Sequence, residues 1–198
     1  MTILDVRGIS KRFGGLQALS DVTFSVPKGQ IIGLIGPNGA GKTTFFSTLV
    51  GLIRPDKGSV LLDGQPLAGL KPHRIAALGM TKTFQNVALF GESTVLDNVL
   101  TAGLLRHDVD AARDEALKCL DRVGLKAIAQ KQAGTLSFPE RARIELARAL
   151  CTGPKVLLLD EVMAALNPVE MQEIMDLIRS LRDDGIEPGA VEPGQHRD

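Results

Sequence analysis

The chain is short of the features that usually point to a partner or a compartment. Neither sign of charge is in excess: 23 Lys and Arg face 23 Asp and Glu, for a net charge of +0. That leaves no global footprint for nucleic acid or for an anionic membrane. Cysteine is scarce. Cys119 and Cys151 stand far apart, fit no metal-binding spacing and read as small apolar core residues. This usage points to a reduced, cytosolic protein. No apolar run approaches the length that spans a bilayer. The N-terminus, Met1-Thr2-Ile3-Leu4-Asp5-Val6-Arg7, lacks the apolar stretch of a signal peptide. No internal repeat is visible. The remaining composition is ordinary: 198 residues, 44% hydrophobic, enough for one or two packed domains.

Against that background one octapeptide stands out. Gly36-Pro37-Asn38-Gly39-Ala40-Gly41-Lys42-Thr43 fits the phosphate-binding pattern G-x-x-x-x-G-K-[ST] at every fixed position. The apolar run 30–35 before it reads as a buried strand, and 44–50 after it reads as a helix. Glycines let the backbone wrap a polyphosphate and point its N–H groups inward. The positive end of the helix dipole adds to that field. The pattern assigns Gly36, Pro37, Asn38, Gly39, Ala40, Gly41, Lys42, Thr43 and Thr44 to the phosphates, with Lys42 reaching the β- and γ-groups. The Thr43 hydroxyl is a Mg²⁺ ligand in this pattern.

The opening section reads as strand-rich, with strands at 2–7, 19–26 and 59–62, the last closed by Asp63-Gly64. A short helix is expected at 72–78 and a strand from Met80 to Phe84. The pattern turns helical from about 93 to 151. Asp110 opens a helix with Ala116, Leu117, Leu120 and Val123 on one face, and Gly124 stops it. Ser137-Phe138-Pro139-Glu140 carries the S-x-x-E capping-box signal. Lys155 to Leu159 reads as a strand. Asn167-Pro168 opens a last helix with Met171, Ile174, Met175, Ile178 and Leu181 on its buried face.

A second constellation closes the 155–159 strand: Asp160 followed by Glu161. Carboxylates at the carboxyl end of a parallel strand sit where α/β folds bind ligands. Beside a phosphate-binding loop, Asp160 is placed to hold Mg²⁺ and Glu161 to polarise an attacking water.

Further segments narrow the class. Thr83-Phe84-Gln85-Asn86 resembles the glutamine loop of ATP-binding cassette (ABC) proteins. Leu136 to Arg141, followed by Ala147-Arg148-Ala149-Leu150, resembles the cassette signature. Ala164 to Pro168 resembles the D-loop, and Lys11-Arg12-Phe13-Gly14-Gly15 resembles the segment whose aromatic stacks on adenine. Phe13-Gly14-Gly15, Pro72-His73-Arg74-Ile75-Ala76, Thr83-Phe84-Gln85-Asn86 and Leu166-Asn167-Pro168 are similar to the ATPase subunits of branched-chain amino-acid importers. The resemblance implies an α/β P-loop NTPase fold with N-terminal antiparallel strands and an inserted helical subdomain. The nucleotide-binding core would be 1–86 and 135–186, and the helical subdomain 87–134. It implies ATP and Mg²⁺, an adenine-stacking Phe13, a Gln85 beside the metal and the attacking water, and a Ser137 facing the γ-phosphate of a second cassette. Implied partners are membrane permease subunits, a second ATP-binding subunit in a homo- or heterodimer and, indirectly, a periplasmic solute-binding protein, with no nucleic acid. The implied location is the inner face of the cell membrane. Phe90, Val95 and Leu96 are apolar candidates for the permease contact, against core packing.

Two departures from the family pattern matter. Phe138 and Pro139 stand where the signature carries glycines, and proline offers no N–H. Either one phosphate donor is lost, or Ser137 and the remaining N–H groups suffice. After Ile186 the family continues into an apolar strand with a γ-phosphate histidine, whereas this chain carries two Glu-Pro-Gly triplets. Residues 187–198 are expected as a disordered tail, with His196 a tail residue, no central strand and an uncovered sheet edge, from truncation or frameshift. The function expected is an ATPase subunit of an importer. A cassette that binds ATP with little turnover, and a soluble cassette outside transport, stay open beside it.

Overall fold

A computed structural model describes residues 1–83, 88–160, 167–183 and 187–190. The chain opens with a long hairpin in which β1 (Thr2–Phe13) and β2 (Leu16–Pro27) pair antiparallel. Both strands are longer than the spans expected from sequence. The register shifts near Gly8, whose φ is 62°, and pairing then resumes until Phe13 faces Leu16 across Gly14-Gly15. Such irregularities bend a strand without ending it. Phe13 therefore sits at the hairpin tip. β4 (Lys57–Leu62) pairs with the other edge of β1, and Asp63-Gly64 turns the chain into β5 (Gln65–Pro66). Both turn residues have positive φ, 49° and 78°, the geometry of a tight hairpin turn.

A second sheet is parallel, in the order β3-β8-β7-β6. Its strands are β3 (Ile32–Gly33), β6 (Met80–Lys82), β7 (Val156–Leu159) and β8 (Glu187–Ala190). β3 is shorter and more exposed than the apolar run 30–35 suggests: Ile35 is 71% exposed. Among the described residues β3 is an outer strand with one neighbour.

β8 corrects the expected tail. Residues 187–190 form a strand between β3 and β7, paired to both. The slot expected to be missing is filled, and β7 has no open edge. Successive residues of a parallel strand address alternate neighbours, so the N–H that Pro188 lacks removes one ladder bond on one side. The waiting edges of β3 and β7 override the local preference against proline. Residues 191–198, with His196, lie outside the described residues.

The helices are α1 (Lys42–Leu49), α2 (Pro72–Leu78), α3 (Val95–Gly103), α4 (Val109–Arg122), α5 (Phe138–Cys151) and α6 (Pro168–Asp183). α4 starts one residue before Asp110, because the Asp108 carboxylate accepts from Ala111 N–H at 2.9 Å and caps it. On α6, Ile174, Ile178 and Leu181 are buried, so this helix keeps its cover. Met171, expected on the same face, is exposed instead.

β7 divides two apolar cores. Leu157 and Leu159 face a cluster with α3, α4, α5 and α6. Val156 and Leu158 face a cluster with α1, α2 and the antiparallel sheet. An all-apolar strand covered on both faces is the expected reading of a buried parallel strand. Asp160 is the first residue past it, and it emerges where the two halves meet.

Candidate functional site

The loop 36–41 enters α1 through Gly41, with φ 88°. A Cβ there would lie 2.5 Å from the Ala18 carbonyl oxygen, so glycine is required by space as well as by φ. No side chain caps α1 and no acidic residue lies in its first turn. The helix's own sequence therefore supplies no anion to its positive dipole end. Lys42 folds over the loop and donates to the carbonyls of Gly36 at 2.5 Å and Pro37 at 3.0 Å.

A groove of about 440 Å³ runs from this loop to the hairpin tip. Phe13, Leu16, Gln17 and Ala18 line one end, and Asn38 through Thr44 the other. Its volume is that of a small-molecule site. Phe13 is 46% exposed. Lys11 Nζ stands 5.4 Å from its ring centroid and pairs with Asp56 at 2.9 Å, while Asp56 also accepts from Arg12 N–H at 2.7 Å. The Lys11 bond, then the Arg12 N–H, hold the Asp56 carboxyl below its ordinary range.

Asp160 is buried beside the loop. Thr43 Oγ1 stands 3.5 Å from its Oδ1. Lys82, at the end of β6, reaches its Oδ2 at 2.8 Å, and both side chains are shielded from solvent. The Asp160 N–H donates to Thr83 Oγ1 at 3.2 Å. Sequence reasoning missed Lys82. The available signal was a lysine two residues after Met80 in a short strand, on the same face as that buried side chain.

Ser137 begins α5, as the capping signal predicts, but it does not line the groove. Its N–H and its hydroxyl both donate to the Glu140 carboxylate, each at 2.7 Å. These bonds hold the Glu140 carboxyl below its ordinary range, the hydroxyl contributing most. The carboxylate thus occupies the helix N-terminus. Gln85 and Glu161, with the D-loop segment 164–166, lie outside the described residues.

Of the three apolar docking candidates, Val95 and Leu96 are core residues, 0% and 2% exposed. Only Phe90 remains on the surface, at 59%. Buried Asn98 pins it, accepting from Phe90 N–H at 2.8 Å and donating to its carbonyl at 3.1 Å. No helix among the described residues is long and apolar enough to cross a membrane.

The family model for ABC transporters matches residues 19–164. BraF, a high-affinity branched-chain amino acid transport ATP-binding protein of Pseudomonas aeruginosa, is 41% identical over 92% of this chain and 78% of its own length. LivG of Escherichia coli K12, with the same description, is 42% identical over 91% of this chain and 77% of its own. The solved ADP conformation of an ABC transporter's ATP-binding cassette superposes with a TM-score of 0.88 at 30% identity, covering 97% of this chain and 81% of that one. The P-loop, the two-sheet core and the helical layer are those of such a cassette. The chain belongs to the ABC transporter family, as one of its ATP-binding cassettes.

Proposed function

We propose that this cassette energises an importer of branched-chain amino acids. The groove carries the nucleotide part of the reading, with an exposed aromatic ring at one end and an uncapped helix bearing Lys42 and Thr43 at the other. In this reading Phe13 stacks on adenine. The loop N–H groups from Gly36 to Thr44 take the phosphates, and Lys42 leaves the Gly36 and Pro37 carbonyls to join them.

Thr43 Oγ1 and Asp160 Oδ1 are hard oxygen donors 3.5 Å apart, a set that fits Mg²⁺. These two, with Gln85, would hold it. When bound, Mg²⁺ offsets charge on the transferring phosphoryl group. Glu161 accepts the proton of the attacking water.

The solute follows from the names of BraF and LivG. Permease subunits would dock around Phe90, a second ATP-binding subunit would complete each nucleotide site, and a solute-binding protein would act through the permease. The cassette would then sit on the inner face of the membrane. Reconstitution with the permease subunits and solute-binding protein tests this: leucine should stimulate ATP hydrolysis and enter the vesicles. Stimulation by an unrelated solute, with none by leucine, isoleucine or valine, would overturn the solute. Calorimetry with ATP tests the groove independently.

One observation favours a second reading, a cassette of low turnover. The start of α5 carries its own carboxylate, and Pro139 offers no N–H. Turnover by the assembled complex near that of its relatives would remove this reading.

A further inference from the structure

Asp160 has two oxygens with different neighbours. Oδ1 faces the Thr43 hydroxyl at 3.5 Å, and Oδ2 is held by Lys82 Nζ at 2.8 Å. The ion pair is enclosed, with side chains 4% and 1% exposed. β6 and β7 lie side by side in parallel, with Lys82 opposite Leu158, so the sheet itself delivers the ammonium to the end of β7. Thr83, the next residue, accepts from the Asp160 N–H and fixes the backbone. The carboxylate is neutralised and oriented by the protein before any metal is present.

A buried carboxylate shared by an ammonium and a divalent cation sets those two positive charges against each other. What Lys82 contributes to the metal-free site it withdraws from metal affinity, because such coupling is reciprocal. We propose that Lys82 is a positioning residue, the internal counter-cation of Asp160. It keeps Oδ1 turned toward Thr43, and it holds affinity for a bare divalent cation so low that the metal enters only with nucleotide phosphates. The inference rests on the reading of Thr43 and Asp160 as the Mg²⁺ donors.

The test uses the whole chain, with Lys82→Met, Lys82→Arg and the double variant Lys82→Met with Asp160→Asn. Thermal melts are recorded without nucleotide, with and without MgCl₂, and then with ADP and with MgADP. Mn²⁺ affinity without nucleotide is read by electron paramagnetic resonance. Wild type and Lys82→Arg should melt alike with and without MgCl₂ alone. Lys82→Met should melt lower and recover part of the loss with MgCl₂, and its Mn²⁺ affinity should rise at least about tenfold. The double variant should lose the metal response and melt above Lys82→Met, since no uncompensated charge is left buried.

A Lys82→Met melt equally low with and without MgCl₂, with unchanged Mn²⁺ affinity, would make the pair a plain core contact and overturn the proposal. Should Lys82→Met not fold, wild type decides: tight Mn²⁺ binding without nucleotide overturns the proposal, and its absence, with MgADP stabilising more than ADP, supports it. Wild type indifferent to both ADP and MgADP would sink the nucleotide-site reading instead.

Discussion

Two helix N-termini of this cassette are built oppositely. α1 starts at a glycine, with no capping side chain and no acid in its first turn. α5 starts at Ser137, with the Glu140 carboxylate bonded to both donors of that serine. The first leaves its partial positive charge for a ligand, and the second supplies the anion from its own sequence. Stability and function pull apart here. A capping box holds a helix start firmly, and for that reason it would compete with any anion brought to that start.

The largest expected effect belongs to the proposed chemistry at the nucleotide. Glu161→Gln keeps the shape but accepts no proton, so turnover should fall on the order of 10²-fold or more while ATP binding persists. A phosphate-release assay with calorimetry checks both, and equal rates would remove Glu161 from the role. Next is Lys42→Ala. A charge-assisted hydrogen bond contributes roughly 1.5–3 kcal/mol, so ATP affinity should drop about 10- to 100-fold with the fold intact. Unchanged affinity would refute the assignment of the loop.

Phe13→Ala should weaken ATP binding about two- to tenfold, the ~0.5–1.5 kcal/mol of an aromatic stack. The ring is half exposed at a hairpin tip, so melting should barely move; a large loss of stability would make it a packing residue.

The closed helix gives the smallest effect. Glu140→Gln removes the charge and keeps the acceptor. If a second cassette offers its γ-phosphate to α5, ATP-dependent self-association in a Glu161→Gln background should strengthen roughly two- to fivefold, for ~0.3–1 kcal/mol of charge at a helix end. Light scattering reads this, and no change would mean that α5 meets no phosphate. The pH dependence sharpens the point. The folded-state pKa of Glu140 lies below its ordinary value, so its stabilising share is complete above that value. It is lost as pH falls through the lower folded value. Wild type should lose part of its melting advantage over Glu140→Gln in that acidic window, and a constant difference would count against the ionised cap.

Much of the site was legible because its signals are local. Gly39 and Gly41 adopt the positive φ that a phosphate loop needs, and Pro72 opens α2 where proline suits a first turn. Ser137 and Glu140 meet three residues apart, as a capping box must. Other readings were settled or overturned by long-range facts. The run 30–35 is half exposed because, among the described residues, β3 has one neighbour. Val95 and Leu96, left open between permease contact and core packing, are core because the segments 93–96 and 129–133 bond to each other and close over them. Glu187-Pro188-Gly189-Ala190, poor in strand formers, is a strand because β3 and β7 hold a slot between them.

By itself the sequence determined the loop, the capping-box start of α5, the proline starts of α2 and α6, and the family, since each rests on residues within a few positions of one another. Only the tertiary structure decided that Lys82, 78 residues before Asp160, would be its buried partner. It also decided that Phe13 would stand across a groove from Lys42. Strand order makes those neighbours, and strand order is settled by which apolar faces and open edges find each other, at separations that no local pattern records.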